Sequence, residues 1–318
     1  MKLIFHGSTH HLQDLITDGN CPASSIKLFN QPLIVRNVAL INKLYEINKV
    51  MIPEGFPDAI KLVQENFPSI EVQEFQQPDS YDFKVNICGA ENFEVPLNSL
   101  IMYSHDKTSL SLEPLIYPWN FLNVIQKILS EEITDQVISP TASIAETAII
   151  KGPCVIEDNV CIDDFCKIVG PTYISRGSFV GMSSLVRNCV LGNNTRIGFN
   201  CEIGKTYFAG NAKISHQNVI LDSIIGENVW FGGYSGTANV LLTRENVRYT
   251  VGTELIDTGT DHFGAVVGND CAVGASVIIL PGRQLPCHSL VQSGTVFGDK
   301  KQCLPTKNKI IPIDPPLR

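Results

Sequence analysis

The sequence predicts two architectures in one chain. Residues 1–135 read as an α/β unit with a parallel sheet. Residues 136–300 read as a three-sided prism of short parallel strands, followed by a tail at 301–318. Two observations carry this: an aliphatic residue at every sixth position in the second half, and alternating strand and helix patterns in the first. Composition is the third. With 44% hydrophobic and 18% charged residues, the 318-residue chain can bury a core, so an extended disordered protein is excluded.

The repeat begins near Ile138. Ile138, Ile144, Ile150, Ile156, Ile162, Ile168, Ile174, Val180 and Val186 follow at strict spacing. The phase then slips and resumes at Leu191, Ile197 and Ile203, at Phe208, Ile214 and Ile220, and at Ile225 and Phe231. A last series runs from Val267 through Val273, Ile279, Leu285 and Val291 to Phe297. Six fits neither a helix nor a simple strand alternation. It fits a coil of three short strands joined by tight corners, each aliphatic residue pointing into a shared core.

Positions two before each aliphatic must also point inward, close to a corner where only small side chains fit. They hold Ala142, Ala148, Cys154, Val160, Cys166, Thr172, Ser178, Ser184, Cys189, Cys201 and Cys271. Five of the ten cysteines therefore read as small core residues. No Cys-x-x-Cys pair is present, and no metal is expected. Glycine repeatedly follows the aliphatic residue (Gly181, Gly192, Gly198, Gly204, Gly226, Gly232, Gly268, Gly274), where a strained corner backbone is expected.

In the first half, Lys2–Phe5, Lys49–Ile52 and Ile70–Gln73 read as strands and Pro57–Phe67 as a helix. The net charge of −8 argues against nucleic-acid binding, and no apolar run is long enough to span a membrane. The apolar run at Met1–Gly7 is too short for a signal peptide, so a soluble cytoplasmic protein is the expectation.

The hexad pattern over about residues 137–299 resembles the left-handed β-helix of hexapeptide-repeat acyltransferases. Finer motifs narrow the resemblance. Lys213-Ile214-Ser215-His216, Asp222-Ser223-Ile224-Ile225-Gly226 and Phe231-Gly232-Gly233-Tyr234-Ser235-Gly236-Thr237-Ala238-Asn239 are similar to the acetyltransferase domain of bifunctional sugar-1-phosphate nucleotidylyltransferase/amino-sugar acetyltransferases, archaeal type. Phe263–Gly268 and Ile279–Gly282 match the closing coils of that family. The Tyr117-Pro118-Trp119 segment matches the link between its two domains, and Gln31-Pro32-Leu33-Ile34 an early segment of its first domain.

The resemblance implies transfer of an acetyl group from acetyl-CoA to an amino-sugar phosphate or a nucleotide sugar, in a homotrimer. His216 stands at the position of the general base. Glu202 and Asn239 stand where the acceptor is positioned, and Arg187 and Lys205 where a phosphate is held. Backbone groups around Ala265, Ala275 and Ser293 are expected, as the resemblance implies, to line the pantetheine slot between coils. The interruption between Thr237 and Gly264 is the place where such relatives build acceptor and donor contacts.

Two departures stand out. Val219 occupies the place of a tyrosine in the bacterial acetyltransferases, and His262 is the one possible cation in the segment 258–262, where relatives carry basic residues. The N-terminal unit reads as a shortened, degenerate nucleotidyltransferase domain. Its first loop is Gly7-Ser8-Thr9-His10-His11, with histidine in place of the expected arginine, and Pro22-Ala23 replaces a Pro-Lys pair. Neither Asp14 nor Asp18 can be assigned to magnesium, so magnesium is not expected. A His6/His10/His11 metal or phosphate site is the weaker reading of that terminus. Two alternatives stay open: a catalytically inactive sugar-nucleotide-binding or scaffolding protein, and nucleotidyl transfer through a rewired N-terminal site.

Overall fold

The structure, a computed structural model, describes residues 2–6, 27–29, 31–76, 92–96, 99–103, 110–115 and 117–298. The Gly7–His11 loop, Asp14, Asp18, Pro22-Ala23 and the 301–318 tail lie outside the described residues.

The first part starts with β1 (Lys2–His6), a short β2/β3 pair (Lys27–Leu28, Gln31–Pro32) and helix α1 (Leu33–Tyr45). Then follow β4 (Lys49–Pro53), α2 (Pro57–Asn66), β5 (Glu71–Phe75) and β6 (Asn92–Pro96). Strands β5, β4, β1 and β6 form one parallel sheet in that order. The apolar stripe of α1 (Ile34, Val35, Val38, Ile41) closes over Leu3, Val50 and Ile52, and α2 adds Ala59 and Val63. An antiparallel pair, β7 (Ser99–Tyr103) and β8 (Leu110–Pro114), leads to α3 (Pro118–Glu132). Pro118 opens α3 because its missing N–H costs nothing at a helix start. Asn120 Oδ1 accepts the Tyr117 N–H at 3.1 Å.

The second part is a left-handed parallel β-helix of three eight-stranded sheets. The first face runs from Ser143–Ile144 to Leu290–Val291, the second from Ile149–Lys151 to Val296–Phe297, and the third from Gln136–Ile138 to Arg283–Leu285. The hexad aliphatics from Ile156 to Leu285 fill the interior with the five cysteines between them; Ile144, Ile150, Val291 and Phe297 are partly buried at the two ends, and Ile138, expected inside, is exposed in the first coil. Burial raises the thiol pKa of all five and pushes Cys189 up to about 12.

The phase slips are single-residue deletions at one corner. Val186 to Leu191, Ile203 to Phe208 and Ile220 to Ile225 each span five residues, all where the chain turns from the second face to the third. Asn188, Lys205 and Asp222 make those shorter corners with φ of 54°, 47° and 45°. The interruption falls at the same corner of the next coil, between Thr237 on the second face and Ala265 on the third.

The repeated glycines have a different cause from the one expected. None of the eight has positive φ; the left-handed corner positions belong mainly to Asn, Asp and other polar residues such as Asn159, Asn194 and Gln217. What demands glycine is the neighbouring coil. A Cβ on Gly198 would lie 2.6 Å from the Ser215 carbonyl oxygen, and one on Gly274 2.5 Å from the Ser293 nitrogen.

Outward residues of the third face are apolar because that face is covered. Tyr173, Val190, Tyr207, Ile224 and Val266 pack against Phe121, Leu122, Val124, Ile125 and Ile128 of α3. Two hydrogen bonds fix the docking: Tyr207 Oη to the Lys27 carbonyl at 2.6 Å, and Gln126 Nε2 to the Asn188 carbonyl at 2.9 Å. The interruption folds into an antiparallel hairpin, Arg248–Val251 with Glu254–Asp257. Its Tyr249 and the following Phe263 are buried edge-on to Trp119, with centroids 5.7 and 6.2 Å away. The hairpin is thus locked between prism and helix. Among the described residues, no helix is long and apolar enough to cross a membrane.

Candidate active site

The corner joining the first face to the second carries one equivalent position per coil. These positions form a column, Asp164, Met182, Phe199, His216, Gly233, Ala275 and Ser293, in which each carbonyl accepts the N–H of the residue just after the next member. His216 is exposed there, outside the prism. Its Nδ1 accepts the Phe199 N–H at 3.3 Å, and its carbonyl accepts Asn218 Nδ2 at 3.1 Å. Among the described residues no carboxylate bonds the ring. Above it the column is small. Ala275 and Ser293 are exposed, and the Ala275 N–H is spent on Ser293 Oγ at 3.0 Å.

Ala265 does not belong to this edge. It sits in the third sheet, fully buried in the prism core, with its N–H donated to Ser223 Oγ at 3.0 Å. With its side chain turned inward and its N–H bonded internally, Ala265 itself offers neither group to a slot open to solvent. The hexad register places it inside.

Arg187 and Glu202 lie side by side on the second face, Nη2 to Oε1 at 3.1 Å, both partly exposed. Gly204 makes room for that arginine, because a Cβ there would stand 2.9 Å from its Cζ. Lys205 follows at the corner, exposed and without an ion pair among the described residues. Asn239 is committed to the neck of the insertion. Its Nδ2 donates to Asp222 Oδ2 at 2.6 Å and its carbonyl accepts the Phe263 N–H at 2.9 Å.

The expected residues therefore fall at two edges of one face. His216, Ala275 and Ser293 stand at the first-to-second corner, while Lys205 and Asn239 stand at the second-to-third corner. Arg187 and Glu202 lie on the strands between. Val219 is exposed on this face between the two edges, in register with Glu202 and Gly236. The face between the corners is on the order of 10–15 Å wide, from the extended rise of its residues.

Beside Lys205 opens a cavity of about 300 Å³. Its floor is Trp119, Leu122 and Phe263; Asn123 and Gln126 of α3 form one side; Asp222, Thr260 and His262 complete the rim. Asp261 Oδ1 accepts His262 Nδ1 at 2.7 Å, which holds the aspartate carboxyl below its usual range. Sequence reasoning missed Asp222 and the whole α3 contribution. The Tyr-Pro-Trp segment marked the helix, but nothing local shows that it folds back onto a corner more than eighty residues further along. Among the described residues, no group of three or more His, Cys, Asp or Glu side chains is placed to hold a metal ion.

No family model matches the chain. Individual relatives do, over its C-terminal half. It is 32% identical over 165 residues to the uncharacterized acetyltransferase YaiX of Escherichia coli, covering 52% of this chain and 68% of that protein. It is 29% identical over 180 residues to a bifunctional sugar-1-phosphate nucleotidylyltransferase/acetyltransferase of Sulfurisphaera tokodaii, covering 56% of this chain and 44% of the relative. It is 31% identical over 183 residues to the bifunctional protein GlmU of Methanococcus aeolicus, covering 57% and 43%. The chain thus spans less than half the length of the bifunctional relatives. With its left-handed β-helix and more than two thirds of YaiX matched, the chain belongs to the YaiX family of hexapeptide-repeat acetyltransferases, and its C-terminal half is similar to part of the bifunctional sugar-1-phosphate enzymes.

Proposed function

We propose that the chain transfers an acetyl group from acetyl-CoA to the amine of an amino-sugar phosphate or nucleotide sugar, on the second face beside His216. The observation that carries this reading is the corner column. An imidazole stands outside the prism, in one column with Gly233 and then the exposed, small Ala275 and Ser293, which leave room for a narrow arm along the edge. The donor supplies the thioester carbonyl.

The residues on the face supply the rest. His216 takes the proton that the amine loses as its nitrogen bonds the acyl carbon. The carbon–sulfur bond breaks, and the proton is returned to the leaving thiolate. Glu202 offers a carboxylate to the hydroxyl or amine of the acceptor, and Arg187 and Lys205 offer cationic donors to its phosphate.

A homotrimer fits the distribution of apolar surface. The third face is closed by α3, whereas Met182, Phe199, Trp230 and Tyr234 are exposed on the first face and its corner, and Val219 and Ile278 on the second. Copies packed through the first and second faces would put His216 in a cleft between subunits.

A second reading assigns the base to His262. Because Asp261 holds its Nδ1, the neutral ring presents a free lone pair at Nε2, toward a site that also contains Lys205. Single His216→Ala and His262→Ala variants separate the readings. Thiol release from acetyl-CoA is followed with glucosamine-1-phosphate, galactosamine-1-phosphate and nucleotide-linked amino sugars. Loss of turnover in the first variant alone supports the main proposal. Loss in the second alone supports the other, and no turnover in the unmodified protein with any acceptor overturns both.

A further inference from the structure

The cavity beside Lys205 is built by two distant parts of the chain. Helix α3 contributes Trp119, Leu122 and Asn123, and the coil corner with the end of the insertion contributes Lys205, Thr260 and Phe263. Its chemistry is divided. Trp119, Leu122 and Phe263, all buried, form an apolar base under a lining that is otherwise polar. Asn123 and Lys205 are exposed at the rim, one offering an amide edge and the other an ammonium group; Gln126 and His262 add polar side chains, and the Asp222 carboxylate there is held by Asn239 Nδ2 at 2.6 Å. An apolar base with polar groups converging around it is a common form of a small-molecule site, and about 300 Å³ stands at its lower size limit.

Position narrows the occupant. The cavity opens at the edge of the second face opposite His216. An acceptor whose amine reaches His216 must cross a face on the order of 10–15 Å wide to enter it. Arg187 lies on the way, where a phosphate would meet it, and Lys205 stands at the mouth. A hexosamine with a single phosphate is used up at Arg187. A longer acceptor, carrying a second phosphate and a flat heterocycle, reaches Lys205 and the aromatic floor.

We propose that this cavity binds the nucleoside diphosphate end of the acceptor, which makes the substrate class a nucleotide-linked amino sugar rather than a free sugar phosphate. The phosphate beside Lys205 gains a point-charge donor. The base gains an apolar floor and the Asn123 amide for its polar edge. The inference rests on amine transfer at His216, and it gives the docked N-terminal helix a part in recognition.

The test uses the full chain with Trp230→Phe, which leaves Trp119 as the sole tryptophan because the chain has two. Trp119 emission is titrated with UDP, GDP, CDP and dTDP, and with inorganic pyrophosphate and glucosamine-1-phosphate as controls. At least one nucleoside diphosphate should bind tenfold or more tightly than either control. Asn123→Phe, which fills the cavity from an exposed helix position and adds no tryptophan, should weaken it by about tenfold or more, with an unchanged melting temperature. Lys205→Ala should weaken it while leaving the apolar base of Trp119, Leu122 and Phe263 in place.

The proposal is overturned if no nucleoside diphosphate outbinds pyrophosphate, or if both variants bind as the parent does. It is also overturned if glucosamine-1-phosphate is acetylated as efficiently as every nucleotide-linked amino sugar. Tight nucleotide binding without acetyl transfer to any acceptor would remove the transfer reading and leave the cavity's assignment standing.

Discussion

The backbone N–H of Phe199 donates to Nδ1 of His216 across 3.3 Å, and this one contact decides which nitrogen of the ring carries the proton. A neutral imidazole that accepts at Nδ1 keeps its hydrogen on Nε2, so it presents a donor to the face. To act as a base the ring must release Phe199 and turn. Nitrogen-15 spectra of the ligand-free protein should therefore show neutral His216 as the Nε2–H tautomer. An Nδ1–H tautomer would mean that the contact with Phe199 does not form.

Coil spacing makes its own demand at Gly198. An added methyl would stand 2.6 Å from the Ser215 carbonyl oxygen, and backbone on an adjacent coil cannot swing aside. Gly198→Ala should destabilise the protein by about 1–3 kcal/mol, as overpacking typically does. Equilibrium urea unfolding measures it; stability equal to the parent would show that the coils can separate locally at no cost.

Thiol chemistry should sort the cysteines by their place in the prism. Cys189 is sealed in the core with its pKa pushed up to about 12, so at pH 8 only on the order of one molecule in ten thousand carries its thiolate. Cys161 and Cys287 are half-buried and free of disulfides. Timed alkylation read by peptide mass spectrometry should mark those two well before Cys189. Early labelling of Cys189 would show that the core opens.

Trp119 joins helix, hairpin and prism, stacking on Tyr117 at 4.4 Å and meeting Tyr249 and Phe263 edge-on. Trp119→Ala should cost about 3–5 kcal/mol, the usual range for emptying a buried aromatic site. Faster hydrogen exchange is expected along Arg248–Asp257, with the hexad core unaffected. Uniform exchange across the chain would show that the helix does not hold the hairpin.

The prism was legible because its period is local. Three strands per coil fix which side chain enters, so Ile144 through Phe297 and the five core cysteines could be placed without coordinates, whereas Ile138, on the end strand, stays exposed. The glycines were located correctly but for the wrong reason, since Gly198 and its equivalents answer to the next coil, which sequence spacing does not display. The slips at Leu191, Phe208 and Ile225 read as interruptions, whereas each is one corner shortened by one residue.

What stayed hidden depends on contacts between remote segments. Trp119 against Phe263, Gln126 against the Asn188 carbonyl and Asn239 against Asp222 have no signature in any short window. Ala265 was placed at the slot by homologous position. The same hexad register that located the aliphatics turns it inward.

The most direct test is the steady-state rate of thiol release from acetyl-CoA, with a nucleotide-linked amino sugar as acceptor, in the unmodified chain and in His216→Ala. Because the ring lies outside the core, the two proteins should melt at the same temperature. The variant's kcat/KM should fall by about 10²–10⁴-fold, the usual worth of a positioned general base. Equal rates in the two proteins would contradict acetyl transfer at this edge of the prism.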